Sequence, residues 1–145
     1  MREIHVLLAE DNRGDVLLVR EALTAHHLSY RLHVASDGAQ AVDFVARMGQ
    51  PGEAPCPDIL LLDLNLPRVD GHEVLREFRR HPDCATTPVI VVSSSDSPRD
   101  REKVSAFGVA RYFRKPTNLD AFMQLGALVK ELTERADPGN RDESG

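Results

Sequence analysis

The sequence is poor in features that mark several other classes of protein. It has no tryptophan, an aromatic content of 5%, and two cysteines among 145 residues. Basic residues are also few, since 18 Lys and Arg stand against 23 Asp and Glu and leave a net charge of −5. Binding to a nucleic acid backbone or to an anionic membrane surface depends on an excess of positive charge. We therefore expect neither nucleic acid nor membrane as a partner.

Long apolar runs and cysteine motifs are absent as well. No apolar stretch approaches the ~18 residues that span a bilayer, and the first run stops at Glu10, too soon for a secretory signal. Cys56 and Cys84 belong to no CxxC motif and have no histidine at metal-ligand spacing, so a disulfide framework is not expected. These observations favour a reducing compartment and predict a cytoplasmic protein.

The length corresponds to a single domain. A chain of 145 residues can bury a sizeable core without disulfides or a structural metal. The apolar pattern ends near residue 134, and the polar segment that follows predicts a flexible tail. We therefore expect one domain over residues 1–134, a tail over residues 135–145 and no separate output domain.

Short apolar segments alternate with helical patterns along the chain. Near-continuous apolar runs predict buried strands, and apolar residues spaced three and four apart predict helices. Asp15 and Ser97 stand where the N-caps of the first and fourth helices are expected. Five strands alternating with five helices indicate an α/β fold with a single doubly wound parallel sheet. The predicted strands cover residues 4–9, 30–34, 59–62, 89–92 and 109–113, and the predicted helices cover residues 15–24, 38–48, 71–79, a segment starting at 98, and 117–134.

Polar side chains follow four of these strands. Glu10 and Asp11 come after the first strand, Asp63 after the third, Ser93 after the fourth and Lys115 after the fifth. The carboxyl ends of parallel strands lie at one edge of the sheet, where ligands bind in folds of this type. Three carboxylates, a hydroxyl and an ammonium group are therefore expected to meet there.

Three clustered carboxylates need a counter-charge. Two unit charges about 4 Å apart repel by about 4 kcal/mol at an effective dielectric constant near 20. A hard divalent cation with oxygen ligands meets this need, and Mg²⁺ is the usual intracellular one. Lys115 and Ser93 would then contact an anion held against the metal. The combination predicts a phosphoryl-binding site with an aspartate as acceptor.

Four blocks of the sequence resemble the signature segments of a known family. They are LLAEDN at 7–12, DILLLDLNLPRVDG at 58–71, VIVVSSS at 89–95 and YFRKP at 112–116. Together and in this order they resemble the response-regulator receiver domain, the phosphoacceptor of bacterial two-component signalling. The resemblance covers residues 3–134 and implies the flavodoxin-like receiver fold, with the strand order 2-1-3-4-5.

The resemblance also implies a role for each polar residue at the strand ends. Asp63 would be the phosphoacceptor, and Ser93 and Lys115 would contact the phosphoryl group. A Mg²⁺ ion would be the cofactor. Its ligands would be Glu10, Asp11, Asp63 and the backbone carbonyl of Asn65.

A conformational switch is implied as well. Tyr112 resembles the aromatic residue whose ring moves inward when the hydroxyl residue, here Ser93, moves toward the phosphoryl group. The family also places a cis peptide bond between the residues that match Lys115 and Pro116, which the small trans preference of X–Pro bonds allows.

The partners implied by the resemblance are proteins. Residues 10–23, the Pro-rich loop before the third strand and the segment LDLNLPRVDG most resemble small single-domain regulators paired with bacterial phytochromes. A sensor histidine kinase, here a bacteriophytochrome, would supply the phosphoryl group, and a downstream protein would read the result. The fourth helix, fifth strand and last helix would form the responsive face and a homodimer contact. The protein would be a signalling protein and not an enzyme, with only its own phosphorylation and dephosphorylation as chemistry.

Other proteins with parallel sheets match these residues less well. A haloacid-dehalogenase phosphatase would also use Asp63 as its nucleophile, but it needs an aspartate two residues later as general acid, where this chain has Asn65. An FMN-binding flavodoxin needs a hydroxyl- and glycine-rich loop after the first strand, where Glu10 and Asp11 would repel the phosphate. The phosphatase is the alternative prediction.

Charged residues away from the strand ends receive a plainer interpretation. Arg76, Arg79 and Arg80 lie together in the third predicted helix. Their spacing predicts a solvated helix face that an acidic partner could contact.

Overall fold

The computed structural model describes residues 2–95 and 97–136, with the backbone alone at residues 135 and 136. The last helix ends at Ala136, so the first two residues of the predicted tail belong to a helix. The rest of that predicted tail, residues 137–145, lies outside the described residues.

Five parallel strands form one sheet. They are β1 (Ile4–Ala9), β2 (Tyr30–Ala35), β3 (Ile59–Leu62), β4 (Val89–Ser93) and β5 (Arg111–Arg114). Their order across the sheet is β2-β1-β3-β4-β5. The predicted fold class and strand order are therefore confirmed, and β5 begins two residues later than predicted.

Helices cover both faces of the sheet. They are α1 (Arg13–Ala25), α2 (Gly38–Arg47), α3 (Gly71–Arg80), α4 (Pro98–Ser105), α5 (Leu119–Phe122) and α6 (Gln124–Ala136), with a 3₁₀ turn at Pro82–Cys84. The last predicted helix is divided at Met123, whose carbonyl oxygen lies 3.0 Å from Nε2 of His26, the C-cap residue of α1. Gly126 on α6 packs so closely on α1 that a β-carbon there would collide with the carbonyl oxygen of Ala22. None of the helices in the described part of the chain is long and apolar enough to cross a membrane.

The core consists of two apolar layers, one on each face of the sheet. Alternate residues of β3 point to opposite layers, so that Leu60 and Leu62 pack with α2 and α3, whereas Ile59 and Leu61 pack with α1, α5 and α6. All four of these side chains have no exposed surface. Full burial on both faces explains why the sequence of this strand is a continuous apolar run.

Helix α1 begins earlier than predicted and has a different cap. The side chain of Asn12 accepts a hydrogen bond from the backbone N–H of Asp15, at 3.0 Å. Asp15 was expected to be the cap, but it occupies the third helical position, the one whose N–H a cap binds. Its carboxylate is therefore available for another contact. Ser97 precedes α4 as predicted, although its side chain makes no capping hydrogen bond.

The two cysteines are not isolated. Cys56, in the loop before β3, forms a disulfide with Cys84 in the 3₁₀ turn, and their Cα atoms are 6.2 Å apart. Because 28 residues separate the two cysteines, their pairing arises from the packing of the fold and leaves no spacing motif. The expectation of unpaired cysteines is wrong, and cysteine usage no longer supports a reducing compartment.

Arg79 departs from the predicted solvated face. Arg76 and Arg80 are exposed and pair with acids one turn earlier on α3, as expected. The guanidinium of Arg79 instead donates to four backbone carbonyls, those of Cys84, Thr87, Phe107 and Gly108. This side chain joins the end of α3 to the segments that precede β4 and β5.

Candidate functional site

Four strand ends meet at the carboxyl edge of the sheet. Glu10 follows β1, Asp63 follows β3, Ser93 ends β4 and Lys115 follows β5. The ammonium of Lys115 lies 2.7 Å from Oε1 of Glu10 and 3.1 Å from Oδ2 of Asp63. Residues far apart in the sequence are thus brought within contact distance, as the parallel order predicts.

Backbone hydrogen bonds between neighbouring strands fix these positions. The N–H of Asp63 donates to the carbonyl of Ala9 at 3.0 Å, and the N–H of Lys115 donates to the carbonyl of Ser93 at 2.8 Å. The hydrogen bonds between strands therefore continue for one residue past β3 and β5. They hold Asp63 and Lys115 at the same edge of the sheet.

The loop after β3 orients the carboxylate of Asp63. Oδ1 accepts a hydrogen bond from the backbone N–H of Asn65 at 3.0 Å. Gly71 packs under this loop, and a β-carbon at that position would lie 2.7 Å from the carbonyl oxygen of Asp63. A side chain there would displace the loop, so glycine is required for the observed position of Asp63.

Three carboxylates form a cluster that can hold a metal ion. Glu10, Asp11 and Asp63 each offer an oxygen, and these oxygens all lie within 4.8 Å of one another. Glu10 and Asp63 are buried, whereas Asp11 is exposed at the surface. A hard divalent cation prefers such carboxylate oxygens, with water completing its coordination. The donor set therefore suits Mg²⁺.

The electrostatics of the cluster depend on Lys115. Burial raises the pKa of Glu10 to about 7; the hydrogen bond from Lys115 opposes this rise, and the negative charge of Asp63 adds to it. Burial lowers the pKa of Lys115, but hydrogen bonds to Asp15 and Glu10 outweigh burial and raise it above its usual value. The ammonium therefore remains charged at the edge of the cluster.

Asp15 is a site residue that the sequence analysis missed. Its Oδ2 lies 2.8 Å from Nζ of Lys115, so three carboxylates surround that ammonium. Its position in the sequence could have indicated this role. Asp15 lies in the first turn of α1, four residues after Asp11, and a side chain there points back toward the carboxyl edge of the sheet.

Ser93 and Tyr112 are connected through Ser95. The Oγ of Ser93, which is completely buried, accepts a hydrogen bond from the N–H of Ser95 at 3.1 Å. The hydroxyl of Tyr112 donates to the carbonyl of Ser95 at 3.0 Å, and the guanidinium of Arg101 lies 4.3 Å above its ring. The backbone of one residue thus touches both predicted switch residues.

The peptide bond between Lys115 and Pro116 is trans, and the predicted cis bond is wrong for this structure. The preference between the two isomers of an X–Pro bond is small, so sequence alone does not decide it. The trans bond still leaves the Lys115 ammonium in contact with Glu10, Asp15 and Asp63.

Comparison with known proteins agrees with this arrangement. The family model of the response regulator receiver domain matches residues 6–126. The response regulator Rcp1 of Synechocystis sp. is 37% identical over 120 residues, which cover 83% of this chain and 82% of Rcp1. The match to the family model begins within β1, covers the other four strands and ends within α6.

Solved structures give the same result. The phosphorylated cyanobacterial phytochrome response regulator RcpA has a TM-score of 0.80 at 30% identity, covering 94% of this chain and 97% of RcpA. The Mn²⁺-bound form of Rcp1 has a TM-score of 0.77 at 33% identity, covering 88% and 92%. The bacteriophytochrome response regulator RtBRR has a TM-score of 0.73 at 35% identity, covering 90% and 78%. These relatives do not support the haloacid-dehalogenase alternative.

Proposed function

The chain belongs to the response-regulator receiver domain family, and we propose that Asp63 accepts a phosphoryl group from the phosphohistidine of a sensor histidine kinase. The observation that carries the proposal is the position of this buried carboxylate, at a strand end, 3.1 Å from the ammonium of Lys115. Residues 1–134 would form the receiver domain.

The transfer needs a nucleophile and a balance of charge. A carboxylate oxygen of Asp63 attacks the phosphorus, the bond between phosphorus and the kinase histidine breaks, and the electron pair of that bond stays on the imidazole nitrogen. Lys115 offers an N–H to the phosphoryl oxygens, and the Ser93 hydroxyl is a second donor within the same edge. The N–H of Asn65 keeps the Asp63 carboxylate oriented during the attack.

We propose Mg²⁺ as the cofactor of this transfer. Glu10, Asp11, Asp63 and the backbone carbonyl of Asn65 would hold it, and the carboxylate cluster supports the first three assignments. The related protein Rcp1 has been crystallised with Mn²⁺ bound. When bound, the cation would neutralise the charge on the phosphoryl oxygens.

Phosphorylation would act by changing the conformation of the protein. Phosphorylation would draw Ser93 toward the phosphoryl group, and the contacts of Ser95 would carry that movement to Tyr112. The face formed by α4, β5, α5 and α6 would change, and a downstream protein or a second copy of the chain would bind there. Phosphorylation by small donors and slow hydrolysis of the acyl phosphate would be the protein's only chemistry.

The names of the relatives support a particular donor. RcpA is a phytochrome response regulator, and RtBRR is a bacteriophytochrome response regulator. We propose a bacteriophytochrome histidine kinase as the partner of this chain. A cytoplasmic location for this exchange is part of the same proposal.

Intact mass spectrometry tests the phosphoacceptor. The protein is incubated with acetyl phosphate and Mg²⁺, and we expect a gain of one phosphoryl group that D63N abolishes. The matched control is D43N, which removes an exposed aspartate that pairs with Arg47 and should be phosphorylated normally. An adduct that persists in D63N, or none in the native sequence, would reject the proposal.

A second experiment tests the switch. S93A removes the hydroxyl that accepts the N–H of Ser95 and should separate phosphorylation from the surface change. We expect the mass gain to remain, while the NMR shift changes on α4 and β5 that follow phosphorylation become much smaller. Equal shift changes in S93A and the native sequence would contradict this role.

A further inference from the structure

We propose that Asp15 is a positioning residue that holds the ammonium of Lys115 at the edge of the carboxylate cluster. The inference rests on the proposed function, because it assigns a role in phosphoryl transfer to a fourth acidic residue of the same site. The observation behind it is the 2.8 Å contact between Oδ2 of Asp15 and Nζ of Lys115.

The ammonium has as many partners as it has protons to donate. Three N–H groups are available on a lysine side chain. They meet three carboxylates, from Glu10 at 2.7 Å, Asp15 at 2.8 Å and Asp63 at 3.1 Å. Two of these carboxylates also belong to the group that can hold a metal ion, whereas Asp15 does not. The charge of Asp15 is therefore committed to Lys115.

The position of Asp15 is fixed independently of its carboxylate. Its backbone N–H is bound by the side chain of Asn12 at the start of α1. The side chain is less than one-quarter exposed and crosses from α1 to the residue that follows β5. Asp15 therefore provides a firm attachment point for an otherwise long and flexible lysine side chain.

This contact limits how far Lys115 can follow a phosphoryl group. A phosphoryl group on Asp63 brings new acceptor oxygens, and Lys115 must turn one or more donors toward them. Asp15 keeps one donor and adds a negative charge near an incoming phosphoryl dianion. Without Asp15, the ammonium can turn fully toward the phosphoryl group, and the repulsion decreases.

The position of the ammonium can be observed without metal or phosphodonor. The chain has three lysines, Lys103, Lys115 and Lys130, so ¹⁵N-lysine labelling gives a simple ¹H–¹⁵N spectrum of ammonium groups. We expect a slowly exchanging signal from Lys115 that shifts and broadens in D15N and returns in D15E. Signals of Lys103 and Lys130 should not change. A Lys115 signal that is the same in D15N and the native sequence would overturn the proposal.

Phosphorylation kinetics give the second measurement. With acetyl phosphate and Mg²⁺, D15N should be phosphorylated roughly three- to tenfold faster than the native sequence, as expected for the loss of one nearby charge in a partly hydrated site. The charge-matched control D43N should keep the native rate, because Asp43 pairs with Arg47 on the surface of α2. A D15N rate equal to that of D43N, or lower, would overturn the proposal.

The two measurements separate this inference from the proposed function. If the native sequence accepts no phosphoryl group, the phosphoacceptor assignment fails, and the metal-free ammonium spectrum decides alone whether Asp15 positions Lys115. D15N and D15E both keep the N-cap of α1, because the Asn12 side chain accepts a hydrogen bond from the backbone N–H of residue 15. We therefore expect D15N and D15E to fold, and circular dichroism checks this.

Discussion

Lys115 and Arg79 are partly buried cations with opposite surroundings. Lys115 lies at the carboxyl edge of the sheet and contacts three carboxylates. Arg79 lies toward the amino ends of β4 and β5 and donates to four neutral carbonyls. Burial lowers the pKa of Arg79, whose four partners are neutral carbonyls, whereas the hydrogen bonds that Lys115 donates to carboxylates raise the pKa of Lys115.

The difference suits Arg79 to a structural role and Lys115 to the proposed functional role. The planar guanidinium of Arg79 bridges backbone carbonyls that have fixed positions in the fold. Arg79 therefore holds the end of α3 and the segments before β4 and β5 in one arrangement. The carboxylates around Lys115 include two proposed metal ligands, one of them the proposed phosphoacceptor, so we expect its contacts to be exchangeable. Substitutions at the two places should therefore affect different properties of the protein.

The largest effect on stability is expected at Arg79. R79M removes four donated hydrogen bonds and leaves partly buried carbonyls without a partner, which should lower the free energy of unfolding by about 2–4 kcal/mol. Urea denaturation measures this change. Phosphorylation of Asp63 by acetyl phosphate should persist in the folded fraction, since the site is at the other edge of the sheet.

The neighbouring arginine supplies the control. R80M removes only an exposed ion pair with Glu77 and should change the free energy of unfolding by less than about 0.5 kcal/mol. R79K should recover only part of the loss, because an ammonium cannot bridge carbonyls as a planar guanidinium does. A stable R79M would show that the four contacts are not structural.

The opposite sign is expected at the site. D63N removes one of several crowded carboxylates, and the metal-free protein should gain about 1–2 kcal/mol of stability from reduced repulsion while losing phosphorylation. The same urea denaturation applies, with D43N as the matched loss of a surface charge. A D63N variant less stable than D43N would mean that Lys115 already compensates for the crowding.

The sequence predicted the fold and most of the site because both depend on strand order. The apolar runs at β1, β3 and β4 mark central strands, and a parallel sheet places Glu10, Asp63 and Lys115 at one edge. These are consequences of local patterns plus one topological rule.

The contacts that were missed depend on packing between distant segments. Asp15 was interpreted from its helix position alone, and its contact with Lys115 spans 100 residues. Arg79 resembles its exposed neighbours on α3, because the carbonyls that surround it come from segments outside that helix. Cys56 and Cys84 meet only when α3 and its 3₁₀ turn pack beside β3.

Magnesium should stabilise only a protein with an intact carboxylate cluster. At ten times its dissociation constant, a ligand specific for the folded state adds about 1.4 kcal/mol of stability. We expect Mg²⁺ to raise the melting temperature of the native sequence and of R79M, and to raise that of D11N much less. Thermal denaturation with and without Mg²⁺ measures the difference. Equal increases in D11N and D43N would reject Asp11 as a ligand.

The smallest effect on stability is expected at His33, whose ring packs against other rings. His33 on β2 stacks on His5 of β1, with ring centroids 5.3 Å apart, and it packs against Phe44 of α2. Burial lowers the pKa of His33, and the positive charges of His5 and Arg31 lower it further. Among residues 2–95 and 97–136, no carboxylate offsets these effects on the His33 ring, in contrast to the surroundings of Lys115.

The sign of the pH dependence follows from this shift. Unfolded histidine has a pKa of about 6.5, so below that pH the unfolded state binds more protons than the folded state. The contribution of His33 to stability should therefore be constant well above about pH 6.5 and decrease as the pH falls below that value. In H33F this contribution should be absent, so the stability of H33F relative to the native sequence should increase as the pH falls. The control H27N, at an exposed left-handed position, should show the same dependence of stability on pH as the native sequence. If H33F shows that dependence as well, His33 is not the titrating group.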